Sequence, residues 1–388
     1  MTAPIRTPYF LIDEAKLASN LEILAAVSAR AGCKILLAQK AFSAWALYPL
    51  IGKYLAGSTA SSLFEAKLGK EEMGGETHIF NPAYTEADFP EILRICDHIV
   101  FNSPAQWRKF KPAAEAEAAR REAGTRAGAG ARRLECGIRV NHGYSEVERE
   151  IYNPCAAGSR LGSPRRAFRD DDFDAISGLH FHTMCEQGAD VLARTLPHFE
   201  EQFAEFFPRL KWVNFGGGHH ITRAGYDVDL LCGTVADFRR RHGLEVYLEP
   251  GEAVALGAGT LVTEALDVIE DEPARAILDF SPSCHCPDII EMPFRPEIEG
   301  AGGADEKRFR YILGGPTCLA GDIAGVYSFD EPLRAGQRLV VKDMAIYSMV
   351  KTNTFNGINL PSIALKKADG GTVLLKSFGY EDFKGRLS

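Results

Sequence analysis

A lysine at the end of an apolar segment is the first candidate for chemistry. Residues 35–40 read Ile-Leu-Leu-Ala-Gln-Lys, so they would carry the amine of Lys40 to the end of a buried strand. Partial desolvation lowers the pKa of a lysine, and its neutral amine is then a nucleophile for an aldehyde. A lysine that simply extends into solvent at a strand end is the alternative explanation.

A glycine triplet and a glutamate are candidates for binding two further parts of a ligand, a phosphate and a ring nitrogen. Gly216, Gly217 and Gly218 are consecutive, and backbone N–H groups without side chains can approach a phosphate closely. Together with Lys40 they favour a phosphorylated aldehyde as the ligand, whereas a tight turn is the structural alternative. Glu249 can hold a pyridine nitrogen protonated and so turn the ring into an electron sink. An exposed carboxylate at a strand end is the other interpretation of Glu249.

The histidines of the chain are candidates for two kinds of site, one that stacks on an aromatic ligand and one that binds a metal. His180 and His182 are two residues apart, so they share one side of a strand, and His182 can stack on the face of an aromatic ligand. A metal site is the rival hypothesis, with these candidate ligands: His180, His182, His219, His220 and the tripeptide Cys284-His285-Cys286. Neither CxxC nor HxxxH spacing occurs among them, so we expect no metal.

Cys318 ends the segment Gly314–Cys318, which reads Gly-Gly-Pro-Thr-Cys. A thiol in such a loop is accessible and can donate a proton, although most single cysteines are buried hydrophobic residues. The nine cysteines of the chain form an odd set without regular spacing. This favours reduced thiols in a cytosol over a disulfide framework.

Eight short apolar or β-branched runs, separated by helix-like stretches, are expected to position these residues. The runs are Ile35–Lys40, Leu55–Ser61, His78–Ala83, His98–Ser103, Cys136–Asn141, Ile176–His182, Trp212–Gly218 and Glu245–Gly251. Between them, segments such as Thr85–Cys96 and Ala189–Phe207 have apolar positions at helical spacing. The alternation predicts an α/β fold, a TIM-like (β/α)₈ barrel, with the candidate residues at the carboxyl ends of its strands.

A second domain is expected because 388 residues exceed one compact core. After Gly251 the sequence changes to β-rich pieces separated by turn residues: Ala276–Phe280, Arg310–Leu313, Gln337–Val341 and Thr372–Leu375. We therefore predict a barrel over 13–254, a mostly antiparallel C-terminal β domain over 255–388, and an N-terminal strand over 1–12 that joins the β domain. The segment Ala113–Arg133 is predicted to be a solvated helix and loop.

Composition excludes several classes of protein. Hydrophobic residues make up 46% and charged residues 25% of the chain, and its apolar runs are shorter than the roughly 20 residues of a membrane span. The N-terminus lacks the apolar core of a signal peptide, so we expect a cytoplasmic protein. A formal net charge of -8 argues against a nucleic-acid surface and mildly favours a cationic ligand.

The motifs above resemble, in order and spacing, those of the fold type III pyridoxal-phosphate decarboxylases, the ornithine and diaminopimelate decarboxylase group. The matching features are Lys40, the His182 strand, the Gly216 triplet, Glu249-Pro250-Gly251 and Gly315-Pro316-Thr317-Cys318. The resemblance extends over nearly the whole chain, from Pro8 to Tyr347. It implies a two-domain architecture like that of alanine racemase, with pyridoxal 5'-phosphate as the cofactor.

The resemblance also implies roles for individual residues. Lys40 would hold the cofactor as a Schiff base, His182 would stack on its ring and Glu249 would pair with the pyridinium. Gly216 to Gly218 and Tyr347 would contact the phosphate. Cys318 would serve the active site of a neighbouring subunit in a homodimer, where this thiol or a water reprotonates the substrate after carbon dioxide leaves.

Two differences from the group narrow the range of candidate substrates. Relatives usually carry an arginine three residues after the glutamate, whereas this chain has Glu252. The aspartate that follows the cysteine in ornithine decarboxylases is replaced by Leu319, and the next acid is Asp322. With residues 152–162 and 283–288, these differences resemble the carboxynorspermidine (carboxyspermidine) decarboxylase family of polyamine biosynthesis.

A carboxylated polyamine has cationic nitrogens away from its reacting carbon, and acids should pair with them. Glu252, Asp288 and Asp322 are the candidates, although a helix-capping or turn acid is the alternative for the first two. Two competing functions remain at this point. One is a diaminopimelate or other basic amino-acid decarboxylase, which would prefer an arginine at Glu252. The other is a non-catalytic binding protein, against which the retention of Lys40 and Cys318 argues.

Overall fold

The computed structural model describes residues 5–126 and 132–388, which form two compact units. One unit is Asn20–Val254, and the other is Ala255–Ser388 together with the chain up to Ser19. The boundary between Val254 and Ala255 is the one predicted from the sequence. The boundary between Ser19 and Asn20 lies inside the first helix, α1 (Glu14–Ala31), whereas the sequence placed it after residue 12.

Eight parallel strands form a closed barrel in the first unit, which confirms the predicted (β/α)₈ fold. Numbered after the N-terminal strand β1 (Tyr9–Asp13), they are β2 (Lys34–Ala38), β3 (Gly57–Ala60), β4 (Glu76–Phe80), β5 (His98–Phe101), β6 (Glu135–Arg139), β7 (Gly178–His180), β8 (Trp212–Asn214) and β9 (Glu245–Leu248). Pairing of Lys34 with Tyr247 and of Ile35 with Leu248 closes the ring between β2 and β9.

Each predicted run overlaps one of the eight strands and continues past its carboxyl end, although β2, β4 and β6 begin one or two residues before their runs. Lys40 lies two residues beyond β2, His182 two residues beyond β7, and Glu249 directly after β9. The reason is visible after β8, where the N–H of Gly216 donates to the Asn214 side chain at 2.8 Å instead of joining the ladder. Apolar sequence therefore predicted the strands, and at β8 a local hydrogen bond marks the strand end.

Helices follow most barrel strands. After α1 they are α2 (Tyr48–Ile51), α3 (Leu63–Glu72), α4 (Phe89–Ile95), α5 (Pro104–Arg126), α6 (Ala189–Phe203), α7 (Val228–His242) and α8 (Glu252–Ala255). The helix predicted from Thr85 begins only at Phe89, because the Thr85 hydroxyl accepts the Asp88 N–H and forms a turn. Of the segment 113–133, α5 covers the first part, and 127–131 lie outside the described residues. Within the described chain, none of the helices is long and apolar enough to span a membrane.

The second unit contains a mostly antiparallel sheet, as predicted. Its strands are β1, β10 (Gly259–Ile269), β11 (Arg275–Leu278), β12 (Phe309–Gly314), β13 (Ile323–Phe329), β14 (Arg338–Lys342), β15 (Ser362–Lys366) and β16 (Thr372–Lys376). The order is β13-β12-β11-β10-β1-β15-β16, and β14 also pairs with β10. The N-terminal strand β1 lies between β10 and β15. Short helices α9 (Pro282–His285), α10 (Asp288–Glu291) and α11 (Tyr380–Gly385) complete this unit.

Trp212 fills the barrel interior because the neighbouring strands carry glycine at the same level. Gly137, Gly178 and Trp212 are consecutive partners in the strand register. A Cβ atom on either glycine would overlap the Trp212 indole, which is 1% exposed. Leu36, Val100 and Tyr247 pack with this indole into a buried cluster. The two glycines are therefore required by close packing rather than by backbone conformation.

Substituting Gly178 tests this packing. We expect Gly178→Ala to lower the free energy of unfolding by about 1–3 kcal/mol, since overpacking displaces a fully buried ring. Gly233 in α7 is the matched control, because among the described residues a Cβ atom added there would meet nothing within 4 Å beyond its own helix backbone. Gly233→Ala should raise stability by up to about 1 kcal/mol through helix propensity. Urea unfolding of both variants measures the difference, and equal midpoints would contradict the packing role of Gly178.

Candidate active site

An open cavity of about 370 Å³ lies at the carboxyl ends of the barrel strands. Its lining includes Lys40, His180, His182, Gly217 and Glu249, which the sequence had singled out, and the additional residues Ala38, Thr59, Ala60, Ser61, Phe80 and Arg139. Four of its charged or polar side chains, Lys40, His180, His182 and Glu249, were thus singled out from the sequence.

Lys40 is presented by a turn that follows β2. The N–H of Ala41 donates to the carbonyl of Ala38 at 3.0 Å, and the buried side chain of Gln39 bonds to Glu65 and Tyr48. The Lys40 side chain is accessible from the cavity, although protein surrounds its amine. This enclosure, and then the positive charge of Arg139, lower the pKa of Lys40. A lowered pKa favours the neutral, nucleophilic form of the amine.

Glu249 is held as a carboxylate at the centre of the site. Its Oε1 accepts from the Asn214 amide at 2.7 Å, and its Oε2 lies 3.4 Å from His180 Nε2. Burial favours the neutral acid, but the neighbouring His180 ring and the Asn214 amide outweigh it and keep the pKa of Glu249 well below its ordinary value. An anion at this position suits a cationic ring nitrogen.

His182 is a neutral imidazole with one defined tautomer. Its Nδ1 accepts the N–H of Gly217 at 2.8 Å, so the ring proton resides on Nε2. Burial, followed by the charges of Lys40 and Arg139, lowers the pKa of His182 well below its ordinary value. An uncharged, oriented ring in the cavity wall is what stacking on an aromatic ligand requires.

The glycine triplet supports both interpretations made from the sequence. Gly216 and Gly218 have φ of +69° and +86°, and side chains there would collide with backbone of the segment after β7. The N–H groups of Gly216 and Gly217 donate to Asn214 and His182. Among residues 5–126 and 132–388, the Gly218 N–H has no such acceptor. The turn is thus structural, and Gly218 retains a donor that a phosphate can use.

Arg139 is a cavity residue that sequence reasoning missed. It ends β6, is 4% exposed, donates to the His182 carbonyl at 3.0 Å and lies 4.6 Å from the centre of the Phe80 ring. Burial lowers its pKa to about 10, partly offset by the negative charge of Glu249. An arginine inside the apolar run 136–141 was the available signal, because a buried charge needs a partner.

Glu252, the first residue of α8, already has a basic neighbour. Its Oε2 lies 2.7 Å from Nε2 of His220, in the loop that follows the glycine triplet. The Glu252 side chain is 18% exposed. The acid that replaces the family arginine is therefore paired within the barrel unit, although one carboxylate can accept from further donors.

Cys318, in the second unit, is exposed on a loop that Asp322 organises. Asp322 is 2% exposed and accepts from the Ser281 hydroxyl, the Ser283 N–H and the Thr317 hydroxyl, the last at 2.7 Å. These contacts give Asp322 a structural role in holding the loop. With its oxygens engaged in this way, Asp322 is poorly placed as a direct substrate ligand.

Two other predicted residues of the second unit are half-buried. Asp288 begins α10 and forms an ion pair with Lys351, which also lies 3.1 Å from Glu291. Tyr347 has φ of +54°, an uncommon conformation for a residue with a side chain. Such backbone conformations concentrate at functional sites, which favours a specific role for this tyrosine.

No protein-family model matches the chain. A carboxynorspermidine/carboxyspermidine decarboxylase of Campylobacter jejuni is 41% identical over 393 aligned positions, covering 98% of each chain. The chain belongs to this decarboxylase family. A carboxyaminopropylagmatine decarboxylase of a Synechocystis species is 39% identical, over 98% of this chain and 95% of the relative. The crystal structure of carboxynorspermidine decarboxylase with norspermidine, also from C. jejuni, has a TM-score of 0.89 at 40% identity, covering 98% and 100% of the two chains.

Membership of this decarboxylase family confirms the prediction made from the motifs. The rival metal hypothesis involved His285, whose ring instead bonds to backbone. Its Nδ1 accepts the Ser281 N–H at 3.1 Å, and its Nε2 lies 3.0 Å from the Asn359 carbonyl. Both ring nitrogens are thus used, and the Cys284-His285-Cys286 tripeptide lacks a free imidazole.

A different cluster comes close to metal-binding geometry in this decarboxylase. Within residues 5–126 and 132–388, the groups Glu76, His78 and His98 lie near enough to share an ion, at the amino ends of β4 and β5. The two imidazoles, however, are stacked 3.9 Å apart and 7° from parallel, so their in-plane lone pairs cannot converge on one ion. Lys34 already supplies a cation, with its Nζ 2.7 Å from Glu76. We therefore interpret the cluster as structural.

Acid should destabilise this decarboxylase through His285. Burial lowers the pKa of His285 to about 4, whereas an unfolded histidine titrates near 6.5. The unfolded chain therefore binds more protons between these values, and stability is complete above pH 6.5 and falls as the pH drops towards 4. The slope is at most about 1.4 kcal/mol per pH unit for this residue.

Urea unfolding at pH 7.5, 6.0 and 5.0 measures this effect. The His285→Gln variant should be less stable at pH 7.5 but lose less stability on acidification than the wild type. His242, on the barrel surface beside Glu200, provides the control substitution His242→Gln. Parallel pH profiles for the wild type and His285→Gln would rule out the proposed contribution of His285.

Proposed function

We propose that this protein uses pyridoxal 5'-phosphate to decarboxylate carboxynorspermidine or carboxyspermidine, giving norspermidine or spermidine in polyamine biosynthesis. The observation that carries the proposal is the convergence of the Lys40 amine, the Glu249 carboxylate and the His182 imidazole on one cavity of a member of this family. The bound norspermidine in the related C. jejuni structure supports the same substrate class.

The residues of the cavity fit the cofactor chemically. Lys40 would hold the aldehyde carbon through its amine, and Glu249 would pair with the protonated pyridine nitrogen. His182 would cover one face of the ring, and Gly218 with Tyr347 would contact the phosphate. When bound, pyridoxal phosphate supplies the sink for the electron pair that decarboxylation leaves on the substrate.

The protein contributes orientation, charge placement and proton transfer. An ionised Glu249 would stabilise a positive ring nitrogen, and the lowered pKa of Lys40 favours the neutral amine that would bind the cofactor aldehyde. Arg139 places a further positive charge in the same cavity, where it would attract the substrate carboxylate. Glu249 and Arg139 are held by buried contacts, so little reorganisation of these two charges is needed at the moment of reaction.

Glu252 and Asp288 are the proposed partners of the distal substrate amines. Both are partly exposed carboxylates, and each is already beside one basic side chain. A charge-assisted hydrogen bond from a substrate ammonium can use their remaining lone pairs. Asp322 acts indirectly in this proposal, by holding the loop of Cys318.

A panel of substrates tests the function. The purified protein with pyridoxal phosphate should release carbon dioxide from carboxynorspermidine and carboxyspermidine, and far more slowly from diaminopimelate and ornithine. Lys40→Ala should lower kcat by about a thousandfold or more, because a covalent catalytic group is lost. Lys53→Ala, at an exposed lysine of the same unit, is the control. Full activity of Lys40→Ala would refute the mechanism.

The same panel tests Glu252 as a substrate ligand. Glu252→Gln should raise KM for the carboxylated triamines about tenfold or more with a smaller change in kcat, since a charge-assisted contact is lost. Glu297→Gln removes a carboxylate from an exposed pair with Lys342 and should leave both constants unchanged.

Carboxyaminopropylagmatine is a second candidate substrate, because a relative named for it is 39% identical over nearly the whole chain. It belongs in the same panel. A higher kcat/KM for this compound than for carboxynorspermidine would reassign the substrate without changing the reaction.

We further propose a cytoplasmic homodimer in which Cys318 of one subunit serves the site of the other. Exposure of this thiol on an ordered loop supports the role, since it can approach a neighbouring molecule. The remaining cysteines are buried or half-buried and unpaired, which fits a reducing compartment.

Mixing two inactive variants tests the shared site. Lys40→Ala and Cys318→Ala subunits should each form weakly active dimers, and their mixture should regain about a quarter of wild-type activity through hybrid dimers with one intact site. Adding wild-type-like Lys53→Ala subunits to Lys40→Ala gives the reference for simple dilution. A mixture no more active than its components would show that Cys318 acts within its own subunit or is not needed.

A further inference from the structure

Two hydrogen bonds fix the orientation of the Asn214 side-chain amide. Asn214 ends β8, is 1% exposed, and its Oδ1 accepts the N–H of Gly216 at 2.8 Å. Because the oxygen of the amide is used in this way, the Nδ2 group must face Glu249, where it donates to Oε1 at 2.7 Å. One buried amide therefore joins the glycine turn to the carboxylate.

His180 approaches the other oxygen of the same carboxylate. It is 2% exposed, and its Nε2 lies 3.4 Å from Glu249 Oε2. His180 on β7 and Asn214 on β8 are direct partners in the strand register, which brings both side chains to Glu249. Neither residue is needed to explain the barrel core, since apolar side chains could fill both positions.

We propose that Asn214 and His180 are positioning residues, which keep Glu249 ionised and aimed at the ring nitrogen of the cofactor; this inference rests on the function proposed above. The Asn214 amide donates to one carboxylate oxygen and the His180 ring lies beside the other, which restricts the plane of the group and leaves lone pairs for a further partner. The pair thus deepens the role of Glu249, in which the ring nitrogen of the cofactor is the further donor.

The charged groups around Glu249 explain why neutral side chains, rather than further cations, should hold its carboxylate. Glu249 is approached by Arg139 on β6, by Lys40 after β2 and by His78 on β4, as well as by His180. A further full positive charge would compete with a cationic ring nitrogen for the same carboxylate. A hydrogen-bonding amide and a neighbouring neutral imidazole stabilise the anion without that competition.

Two substitutions of Asn214 separate positioning from support of the turn. Asn214→Leu removes both hydrogen bonds, whereas Asn214→Asp keeps an acceptor for the Gly216 N–H and loses the donor to Glu249. If the residue served only the turn, the aspartate variant would behave as the wild type. If it positions the carboxylate, both variants should lose function.

The first measurement uses the full-length protein without added cofactor. Infrared spectra over a pH series follow the band of a protonated carboxylic acid, assigned with Glu249→Gln. We expect this band to appear at higher pH in Asn214→Leu than in the wild type, since loss of a donor raises the pKa of a buried carboxyl group. Identical titrations would overturn the inference.

The second measurement is the affinity for pyridoxal phosphate, followed by its absorbance. Both Asn214 variants should bind at least about tenfold more weakly, the cost of losing a hydrogen bond to a charged group. Asn102→Asp and Asn102→Leu are matched controls, because Asn102 also bridges a glycine N–H, that of Gly162, and a second partner, the Arg160 carbonyl. Wild-type affinity in Asn214→Asp would overturn the inference.

Variants of His180 test the other half of the pair. His180→Phe keeps a ring without a donor and should weaken cofactor binding as Asn214→Leu does, whereas His180→Gln should recover part of the affinity. Equal binding by the two variants would overturn the role of His180. If the wild type failed to bind pyridoxal phosphate, the proposed function would fall, while the infrared titration would still report on Glu249.

Discussion

The hydrogen bond from Asn214 to Glu249 is the interaction on which the rest of the site depends. It crosses between neighbouring strands at the carboxyl end of the barrel and places an anion among Lys40, Arg139 and His180. Burying a carboxylate is costly unless donors surround it, so the polar residues of the cavity must be present together. The Glu249 charge in turn offsets part of the unfavourable burial of Arg139.

Strand register explains how residues far apart in sequence form this arrangement. Arg139 pairs with His180, and His180 pairs with Asn214, so one row across β6, β7 and β8 delivers a cation, an imidazole and an amide. A shift of one residue between any two strands would turn one of these side chains to the opposite face. The barrel is thus the means by which the chemistry is assembled, and the loops supply Lys40, His182 and the glycine triplet.

The barrel and most of the candidate site could be predicted because their signals are local. Eight apolar runs marked the strands, and Lys40 and Glu249 followed directly from the ends of such runs. Arg139 and Asn214 were harder to recognise, since each is a single polar residue within an apolar run and its partner depends on register. Strands β10, β13 and β15 were missed because their buried positions follow no regular alternation, and β10 and β15 also depend on pairing with β1, which is distant in sequence. The role of Asp322 likewise depends on contacts with Ser281 and Ser283, some 40 residues away.

The packing of the Trp212 indole inside the barrel affects how ligands reach and leave the cavity. With Leu36, Val100 and Tyr247 the indole forms a solid floor across the barrel, made possible by the two glycines beside it. Among the described residues, this packed layer closes the barrel towards the amino ends of its strands. Carbon dioxide and the polyamine product would then leave through the same carboxyl-end opening by which the substrate enters. Substitutions in the Trp212 layer should therefore alter stability, whereas substitutions around the carboxyl-end opening should alter which ligands enter the cavity.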